Sequence, residues 1–253
     1  MQNQERAVES PSTPSKLEFG SLTAKLLAEL ESPETQERDR RIINERNAQK
    51  VREHVQAQAA KRAALVSQIG SRYEQCTLEN FEVYDDRQST ALDELTIFAD
   101  HLDEHIPAGD GLALFGAFGT GKDHLLAAIL FQAVDQGYSV RWVNGLAVYS
   151  QVRDQMDSED SERSFVRALA STAVLAISDP LPPWGRLTDF QAAKLFEIID
   201  ERYRFRRATW ITSNVTGGYE ASDRMGGAVV DRLRERALAI HCDWPSYRAR
   251  SAQ

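Results

Sequence analysis

One segment of the chain has the residue types and spacing of a phosphate-binding loop. Gly116-Ala117-Phe118-Gly119-Thr120-Gly121-Lys122-Asp123 matches the pattern G-x-x-x-x-G-K, with an apolar strand-like segment before it and a helix-like segment after it. Glycines let the chain curl so that successive backbone amides, with the positive end of the following helix, surround an anion. A glycine-rich turn without a ligand usually lacks these flanking elements. The sequence therefore predicts that residues 116–123 bind ATP, with Lys122 reaching the β- and γ-phosphates.

The last residue of this loop departs from the usual pattern. A Ser or Thr normally stands there with its hydroxyl on Mg²⁺, but this chain has Asp123. A carboxylate beside phosphates is repelled unless a cation lies between them. The Asp that normally ends the third strand of such ATPases is also replaced, because Ser178 stands there and Asp179 follows it.

These two departures lead to two hypotheses. In the first, the carboxylate and the hydroxyl have exchanged places, so that Asp123 and Ser178 support Mg²⁺ while Asp179 polarises the attacking water. Mg²⁺ accepts either kind of hard oxygen ligand, so the first hypothesis predicts that hydrolysis is retained. In the second, the site is degraded and binds nucleotide but hydrolyses it poorly. A phosphate-release assay separates the two.

Further polar residues follow later strands. Asn214 comes at the end of a strand-like segment, where ligands gather in parallel sheets, so it could bond the attacking water or the γ-phosphate, or equally cap a turn. An arginine near the γ-phosphate would stabilise developing charge. Ten arginines lie between residues 202 and 250, however, and most of them must be surface charges. The residues alone do not choose among them.

The elements that must position these residues follow from an alternating pattern after residue 110. Five short apolar segments are predicted as strands, at residues 112–115, 139–143, 173–177, 208–212 and 238–242. Helices are predicted over residues 123–134, 188–205 and 224–236, among others. Short apolar strands separated by helices indicate a parallel sheet covered on both faces, which is an α/β fold.

Residues 1–70 differ in composition from the rest of the chain. They contain a single aromatic residue, Phe19, and two glycines. Leucines at helical spacing follow Ser21, and a second helix is predicted from Pro33 to about residue 67. Between residues 34 and 67 there are eight Lys or Arg and five Asp or Glu. So polar a helix cannot form the centre of a core, and it is either solvated and partly disordered or a docking arm for a partner.

Composition excludes several classes of protein. A net charge of −8 argues against coating nucleic acid with the whole surface, but it allows a local basic groove. Cys76 and Cys242 lie far apart without a CxxC companion, which argues for reduced thiols in a cytoplasmic protein. The longest apolar run has seven residues, whereas a membrane helix needs about 20, and no secretory signal is present. All four tryptophans are predicted to lie in the core or at the sheet edge.

Several of these motifs together resemble the IstB/DnaC branch of the AAA+ ATPases, which includes the DnaC-type helicase loaders. The resemblance covers about residues 73–250, roughly 70% of the chain. The residues that carry it are Tyr73 to Phe81, Gly116 to Asp123, Ile177-Ser178-Asp179, Thr212-Ser213-Asn214, Asp231-Arg232-Leu233-Arg234 and Trp244-Pro245-Ser246-Tyr247-Arg248.

The resemblance implies an AAA+ αβα sandwich with a five-stranded parallel sheet in residues 71–253, without a separate lid, after a helical or partly disordered arm in residues 1–70. It implies that Asn214 is sensor 1 and that Arg248 is the sensor-2 arginine, in contact with nucleotide phosphates. Arg232 would be the arginine finger, acting across a self-association interface on a neighbour's ATP.

The resemblance also implies a function in DNA replication. Such a protein uses ATP and Mg²⁺ to bind single-stranded DNA and to help place a replicative DNA helicase, which the N-terminal arm contacts. One alternative is an IstB-type transposition helper, which acts on duplex DNA with a transposase. Another is a nucleotide-gated adaptor with little or no hydrolysis, and the unusual Asp123 and Ser178 motivate it.

Overall fold

The N-terminal part of the structure is a long polar helix. The structure is a computed structural model that describes residues 32–154 and 159–250. The chain divides between Gln56 and Ala57 into two units. The described residues of the first unit are helical from Pro33 onward, which confirms the predicted polar helix, and helix α1 runs over Pro33–Ile69. Ser32 precedes its first turn, and the Ser32 hydroxyl accepts the Thr35 N–H at 3.2 Å. The leucine-rich helix predicted after Ser21 lies outside the described residues.

The second unit is built on a five-stranded parallel sheet. Its strands are β1 (Gly111–Gly116), β2 (Val140–Asn144), β3 (Val174–Ser178), β4 (Ala208–Ser213) and β5 (Ala237–Cys242). The order across the sheet is β2-β3-β4-β1-β5, and every pairing is parallel. The five predicted strands are therefore confirmed. Because all strands run the same way, their carboxyl ends share one edge of the sheet and their amino ends share the other.

Helices cover both faces of this sheet. One face carries the end of α1 with α2 (Asp86–Asp100), α3 (Leu102–Ala108) and α4 (Lys122–Asp135). The other face carries α5 (Gly145–Asp154), α6 (Glu159–Ser171), α7 (Asp189–Arg204), α8 (Gly218–Met225) and α9 (Gly227–Arg234). One helical turn, α10 (Tyr247–Arg250), follows β5. The three layers form an αβα sandwich.

Two predictions about this unit are wrong. The single helix predicted over residues 224–236 is two helices, because Gly226 has φ of 98° and interrupts the chain between α8 and α9. Trp184 is not a core residue but is 83% exposed, whereas Trp142, Trp210 and Trp244 are buried as expected. None of the helices in residues 32–154 and 159–250 combines the length and the apolar character that a membrane span requires.

Candidate nucleotide site

A cleft of about 310 Å³ opens at the carboxyl edge of the sheet. Several of the residues predicted from the sequence to form the site line it together, although they come from four separate stretches of chain: Phe118 to Asp123, Asp179, Asn214 and Arg248. Gly116 and Ala117 lie at the start of the same loop. Ser178 lies behind Asp123, and Arg232 lies elsewhere.

The loop before α4 is held tightly against its neighbours. Gly116 has φ of 135°, and a Cβ there would lie 2.3 Å from the carbonyl oxygen of Cys242 on β5, so only glycine fits. The Lys122 ammonium donates to the carbonyl oxygens of Gly116 at 3.1 Å and Ala117 at 2.7 Å. Lys122 is 6% exposed, and burial lowers its pKa. The lysine is therefore held at the centre of the loop.

The start of α4 offers amides to an anion. Gly121 is its N-cap residue, with φ of 87°, and it has no side chain to accept the first amides of the helix. The macrodipole places partial positive charge at the same point. The loop, the helix start and Lys122 therefore fit the phosphates of a nucleotide.

Asp123 is held by two hydroxyls. Its Oδ1 accepts hydrogen bonds from Ser178 Oγ at 3.0 Å and from Thr212 Oγ1 at 2.8 Å. The register places Ser178 opposite Thr212 at the ends of β3 and β4, so the pair forms a fixed polar floor below Asp123. Among the described residues, no protein group donates to Oδ2 of Asp123.

These oxygens fit a hard cation only in combination with other ligands. Carboxylate and hydroxyl oxygens suit Mg²⁺, which usually keeps several waters and binds substrate phosphates as well. Residues 32–154 and 159–250 contain no group of three or more His, Cys, Asp or Glu that could hold a metal by themselves. A magnesium ion at Asp123 and Ser178 would therefore share its coordination with a nucleotide.

Thr212 is a part of the site that was not predicted from the sequence. Two signals could have found it: its hydroxyl side chain stands within the motif Thr212-Ser213-Asn214, and β4 neighbours β3 in the usual order of such sheets. Strand alternation then turns Thr212 towards α4 and Ser213 towards the opposite face. Ser213 Oγ is, within the described part of the chain, the buried side-chain atom left without a hydrogen-bond partner.

Asp179 and Asn214 form a second polar pair in the cleft. Asn214 Nδ2 donates to Asp179 Oδ1 at 2.7 Å. Asp179 has a left-handed backbone with φ of 46°, and its N–H donates to the Thr212 carbonyl at 3.1 Å. Burial, and then the nearby charge of Asp123, raise the pKa of the Asp179 carboxyl. Strained residues often mark functional sites, and this carboxyl is poised to accept a proton more readily than an exposed Asp.

The wall of the cleft opposite the sheet comes from the chain before β1. Tyr73 and Phe81 line it, and burial followed by the charge of Asp123 raises the pKa of Tyr73. The Phe81 ring meets the His124 and Trp244 rings edge-on at 5.4 and 6.5 Å. Trp244 in turn donates to the Thr120 carbonyl at 2.8 Å. Phe81 and Trp244 therefore pack against the loop, and neither was predicted from the sequence to take part in the site.

The two predicted arginines lie in different places. Arg248 lines the nucleotide cleft, just after Tyr247, whose N–H donates to the Gly119 carbonyl at 2.9 Å. Arg232 lies on α9 in an ion pair with Asp200 at 2.9 Å, with its guanidinium 4.7 Å above the Phe196 ring. Arg232 therefore does not reach the nucleotide cleft of its own chain.

Comparison with known proteins identifies the family. The family model described as IstB-like ATP binding protein matches residues 44–253. The chain belongs to this family. The replicative helicase loader DnaC of Escherichia coli K12 is 28% identical over 188 residues, which are 73% of this chain and 74% of DnaC. A putative insertion sequence ATP-binding protein of Sinorhizobium fredii is 31% identical over 156 residues, 59% of this chain and 50% of that protein.

Solved structures of known proteins share the fold of this chain. The crystal structure of the DnaC helicase loader superposes with a TM-score of 0.61 at 24% identity, over 68% of this chain and 99% of that one. Domain III of DnaA from Thermotoga maritima superposes with a TM-score of 0.54 at 21% identity, over 72% of each chain. The predicted membership of the IstB/DnaC group and the predicted AAA+ fold with five parallel strands are both confirmed.

Proposed function

We propose that this protein is an ATP-dependent helicase loader of DNA replication, which binds ATP with Mg²⁺, binds single-stranded DNA and remodels a replicative helicase. The observation that carries the proposal is the cleft that joins the loop, Asp123, Asp179, Asn214 and Arg248 in a chain similar to DnaC over most of its length. The DnaC relatives are named replicative helicase loaders, which supports the choice of partner.

The nucleotide phosphates bind to the amides of Gly116–Asp123, to Lys122 and to Arg248. Lys122 already lies within the loop and exchanges its bonds to the loop carbonyls for bonds to phosphate oxygens. Asp123 and Ser178 would hold Mg²⁺, and their 3.0 Å contact supports the exchange of carboxylate and hydroxyl between the two motifs. When bound there, such an ion would supply positive charge that offsets the charge of the nucleotide phosphates.

Asp179 is the residue that polarises the attacking water. Its raised pKa favours proton acceptance, and the 2.7 Å bond from Asn214 fixes the direction of its carboxylate. Asn214 thus acts both as sensor 1 and as the group that positions Asp179.

Arg232 serves a neighbouring subunit rather than its own. Its place outside the nucleotide cleft supports a role across a self-association interface. Its side chain is 26% exposed, and Asp200 and the Phe196 ring hold it in one direction. An arginine fixed in this way loses little freedom when it meets a neighbour's phosphates.

Residues 1–70 form the arm that contacts the helicase, and residues 71–253 form the ATPase domain. The described part of the first unit supports a contact with a partner, because its helix exposes Ile42, Ile43, Val51 and Val55 to between 40% and 63%. Apolar side chains exposed on a helix without a core of its own suit a partner surface.

One alternative has specific support. The 31% identity to an insertion sequence ATP-binding protein, and the description of the family, favour a transposition helper that acts on duplex DNA. Binding to a labelled single strand and to its duplex separates the two functions. A clear preference for the single strand supports the loader, and a preference for duplex supports the helper.

Steady-state phosphate release by the full chain tests the enzymatic part of the proposal. The wild type should release phosphate faster than the Lys122→Ala variant, with stimulation by single-stranded DNA. A wild-type rate no higher than that of Lys122→Ala, together with normal ATP binding, would instead support the nucleotide-gated adaptor. A pull-down from the native host with the full chain, read by mass spectrometry, should recover a replicative helicase.

A further inference from the structure

A second cleft, of about 380 Å³, lies at the amino edge of the sheet, opposite the nucleotide site. Three turns enclose it because β4, β1 and β5 are neighbours and each begins here. Gly109 precedes β1, Arg206 precedes β4 and Arg236 precedes β5, and all three line the cleft. The proposed function uses one residue of this cleft, Arg232, towards the ATP of a neighbouring subunit. It assigns no role to the other arginines of the cleft.

The backbone of this cleft is strained at its arginines. In residues 32–154 and 159–250, three non-glycine residues have positive φ: Asp179 in the nucleotide site, Arg206 at 49° and Arg236 at 59°. An L-residue in this conformation is unfavourable, and glycine or asparagine would adopt it at lower cost. Arginine side chains thus stand at two positions where the backbone alone would favour another residue, which points to a use for the side chains.

The Arg206 turn is also rigid. A Cβ on Gly109, which has φ of 79°, would lie 2.5 Å from the Arg206 carbonyl oxygen, so the two turns are in close contact. Such packing fixes the direction in which the Arg206 side chain leaves the backbone.

The cleft carries an excess of positive charge in a chain of net charge −8. Five arginines line it: Arg204, Arg206, Arg207, Arg232 and Arg236. Three carboxylates accompany them, since Asp200 pairs with Arg204 and Arg232, Asp110 pairs with Arg236, and Glu235 accepts from Tyr203. Within the described part of the chain, the Arg206 guanidinium has no ion pair and no hydrogen bond.

A buried cation adds to this potential. Arg202 is fully buried on α7 and donates to the Thr209 hydroxyl and to five backbone carbonyls, those of Leu169, Ala170, Thr172, Ala173 and Ala208. No carboxylate of the described residues neutralises it. Burial, and then the charge of Arg207, lower its pKa to about 9, so it remains protonated at neutral pH.

An exposed aromatic ring lies beside these charges. Phe205 is 60% exposed, and the Arg207 guanidinium lies 5.4 Å from the centre of its ring. The local sequence Tyr203-Arg204-Phe205-Arg206-Arg207 alternates aromatic and cationic side chains. Proteins that bind single-stranded nucleic acid combine these groups: cations follow the phosphates, and aromatic rings stack on unpaired bases.

We propose that the amino-edge cleft is a binding site for single-stranded nucleic acid, in which Arg206, with Arg204 and Arg236, contacts backbone phosphates while Phe205 stacks on a base. The inference rests on the proposed action on single-stranded DNA and assigns that action to named residues. It places the strand on the edge of the sheet opposite the nucleotide. Arg232, which pairs with Asp200, is not needed for it.

Arg206→Gly is the variant that tests the phosphate contact most cleanly. Glycine adopts the left-handed turn freely, so the variant removes the guanidinium without straining the fold, and its thermal stability should equal or exceed that of the wild type. Arg234→Gln is the charge-matched control, because Arg234 has a side chain that is 75% exposed and lies outside the cleft.

Fluorescence anisotropy of the full chain with labelled oligo-dT of about 20 nucleotides gives the result. For Arg206→Gly, we expect a dissociation constant at least about fivefold higher and a slope of log affinity against log salt smaller by about 0.7, the value for one lost single-strand phosphate contact. Arg234→Gln should change neither. Equal effects of the two variants, or none for Arg206→Gly, would overturn the inference.

Phe205→Ala tests the stacking contact. It should weaken binding to the single strand about fivefold or more while leaving binding to the matching duplex unchanged, since a duplex offers no unstacked base. Tyr219→Ala is the control, because Tyr219 is 90% exposed on α8. A larger loss for Tyr219→Ala, an equal loss of duplex binding for Phe205→Ala, or equally strong competition by polyglutamate would contradict the proposed site.

The failure of this inference is distinguishable from that of the proposed function. ATP binding by Arg206→Gly should equal that of the wild type. If the wild type binds oligo-dT and substitution of Arg206 or Phe205 does not change the affinity, only the assignment of the cleft is wrong. A wild type that binds ATP but no oligo-dT would remove both the cleft and the proposed action on single-stranded DNA.

Discussion

The two edges of the sheet are built from opposite charges. At the carboxyl edge, Asp123 and Asp179 accept hydrogen bonds from hydroxyl and amide groups around Lys122. At the amino edge, arginines predominate and the buried Arg202 donates to backbone carbonyls. Helix α4 begins at the carboxyl edge, whereas α7 and α9 end at the amino edge with basic last turns.

This difference has a physical basis in a parallel sheet with crossover helices. Helix starts attract anions and helix ends attract cations, so the fold itself prepares one edge for phosphate and the other for arginine. Helix ends account for Arg204 and Arg234. They do not account for Arg206 and Arg236, which lie beyond the helices in strained turns. Those two arginines are therefore the better indicators of a ligand.

Among the variants considered, substitution of Arg202 should cause the largest loss of unfolding free energy. Arg202→Met removes a donor from five carbonyls, of which Ala170 keeps its bond from Arg207, and each buried acceptor left unpaired costs about 1–3 kcal/mol of unfolding free energy. Chemical denaturation should show this loss. The control Arg204→Met, in a side chain 61% exposed, should change stability by less than about 0.5 kcal/mol. Equal effects would contradict the structural role of Arg202.

A pair of glycines should separate the functions of the two edges. A Cβ on Gly116 would meet the Cys242 carbonyl at 2.3 Å, and one on Gly109 would meet the Arg206 carbonyl at 2.5 Å. Each alanine variant should lose about 1–3 kcal/mol more than Gly137→Ala, where φ is also positive but no atom lies within 4 Å.

Ligand binding by the folded protein of each glycine variant then shows which edge the substitution affects. Gly116→Ala should weaken ATP binding and spare oligo-dT binding, and Gly109→Ala should do the reverse. Titration of both ligands into both variants checks this. Parallel losses of both ligands would show that the edges do not act separately.

Asp179→Asn should change the free energy of unfolding least among these variants, and it should raise that free energy rather than lower it. Because burial raises its folded pKa, Asp179 favours folding at low pH, and that contribution is lost as the pH rises through the folded pKa. The amide variant should therefore be more stable than the wild type at neutral pH, and the difference should vanish below about pH 4. Thermal unfolding at both pH values measures it. A variant less stable at neutral pH would contradict the burial of this carboxylate.

The sequence alone was sufficient to predict the strands of the sheet and the loop at its carboxyl edge. Each strand is short and apolar because helices cover both faces, and the loop Gly116–Asp123 is contiguous, so both could be predicted without knowledge of tertiary contacts. Phe81 and the amino-edge cleft could not. Their positions depend on strand order and on residues distant in sequence, as when Phe81 meets Trp244.

The exposed Trp184 and the break at Gly226 show the same limit at single residues. Trp184 is apolar by type, yet a proline-rich turn places it outside both hydrophobic clusters. Gly226 lies within a helical pattern, where its φ of 98° separates α8 from α9.

Isothermal titration calorimetry of the full chain with ATP and Mg²⁺ tests the central claim most directly. We predict saturable heat of association at one site per chain, and none for Lys122→Ala at the same concentrations. Thermal unfolding serves as the control that the variant is folded. A folded wild type without heat of association, or a Lys122→Ala variant that binds ATP like the wild type, would contradict the assignment of the carboxyl-edge cleft as the nucleotide site.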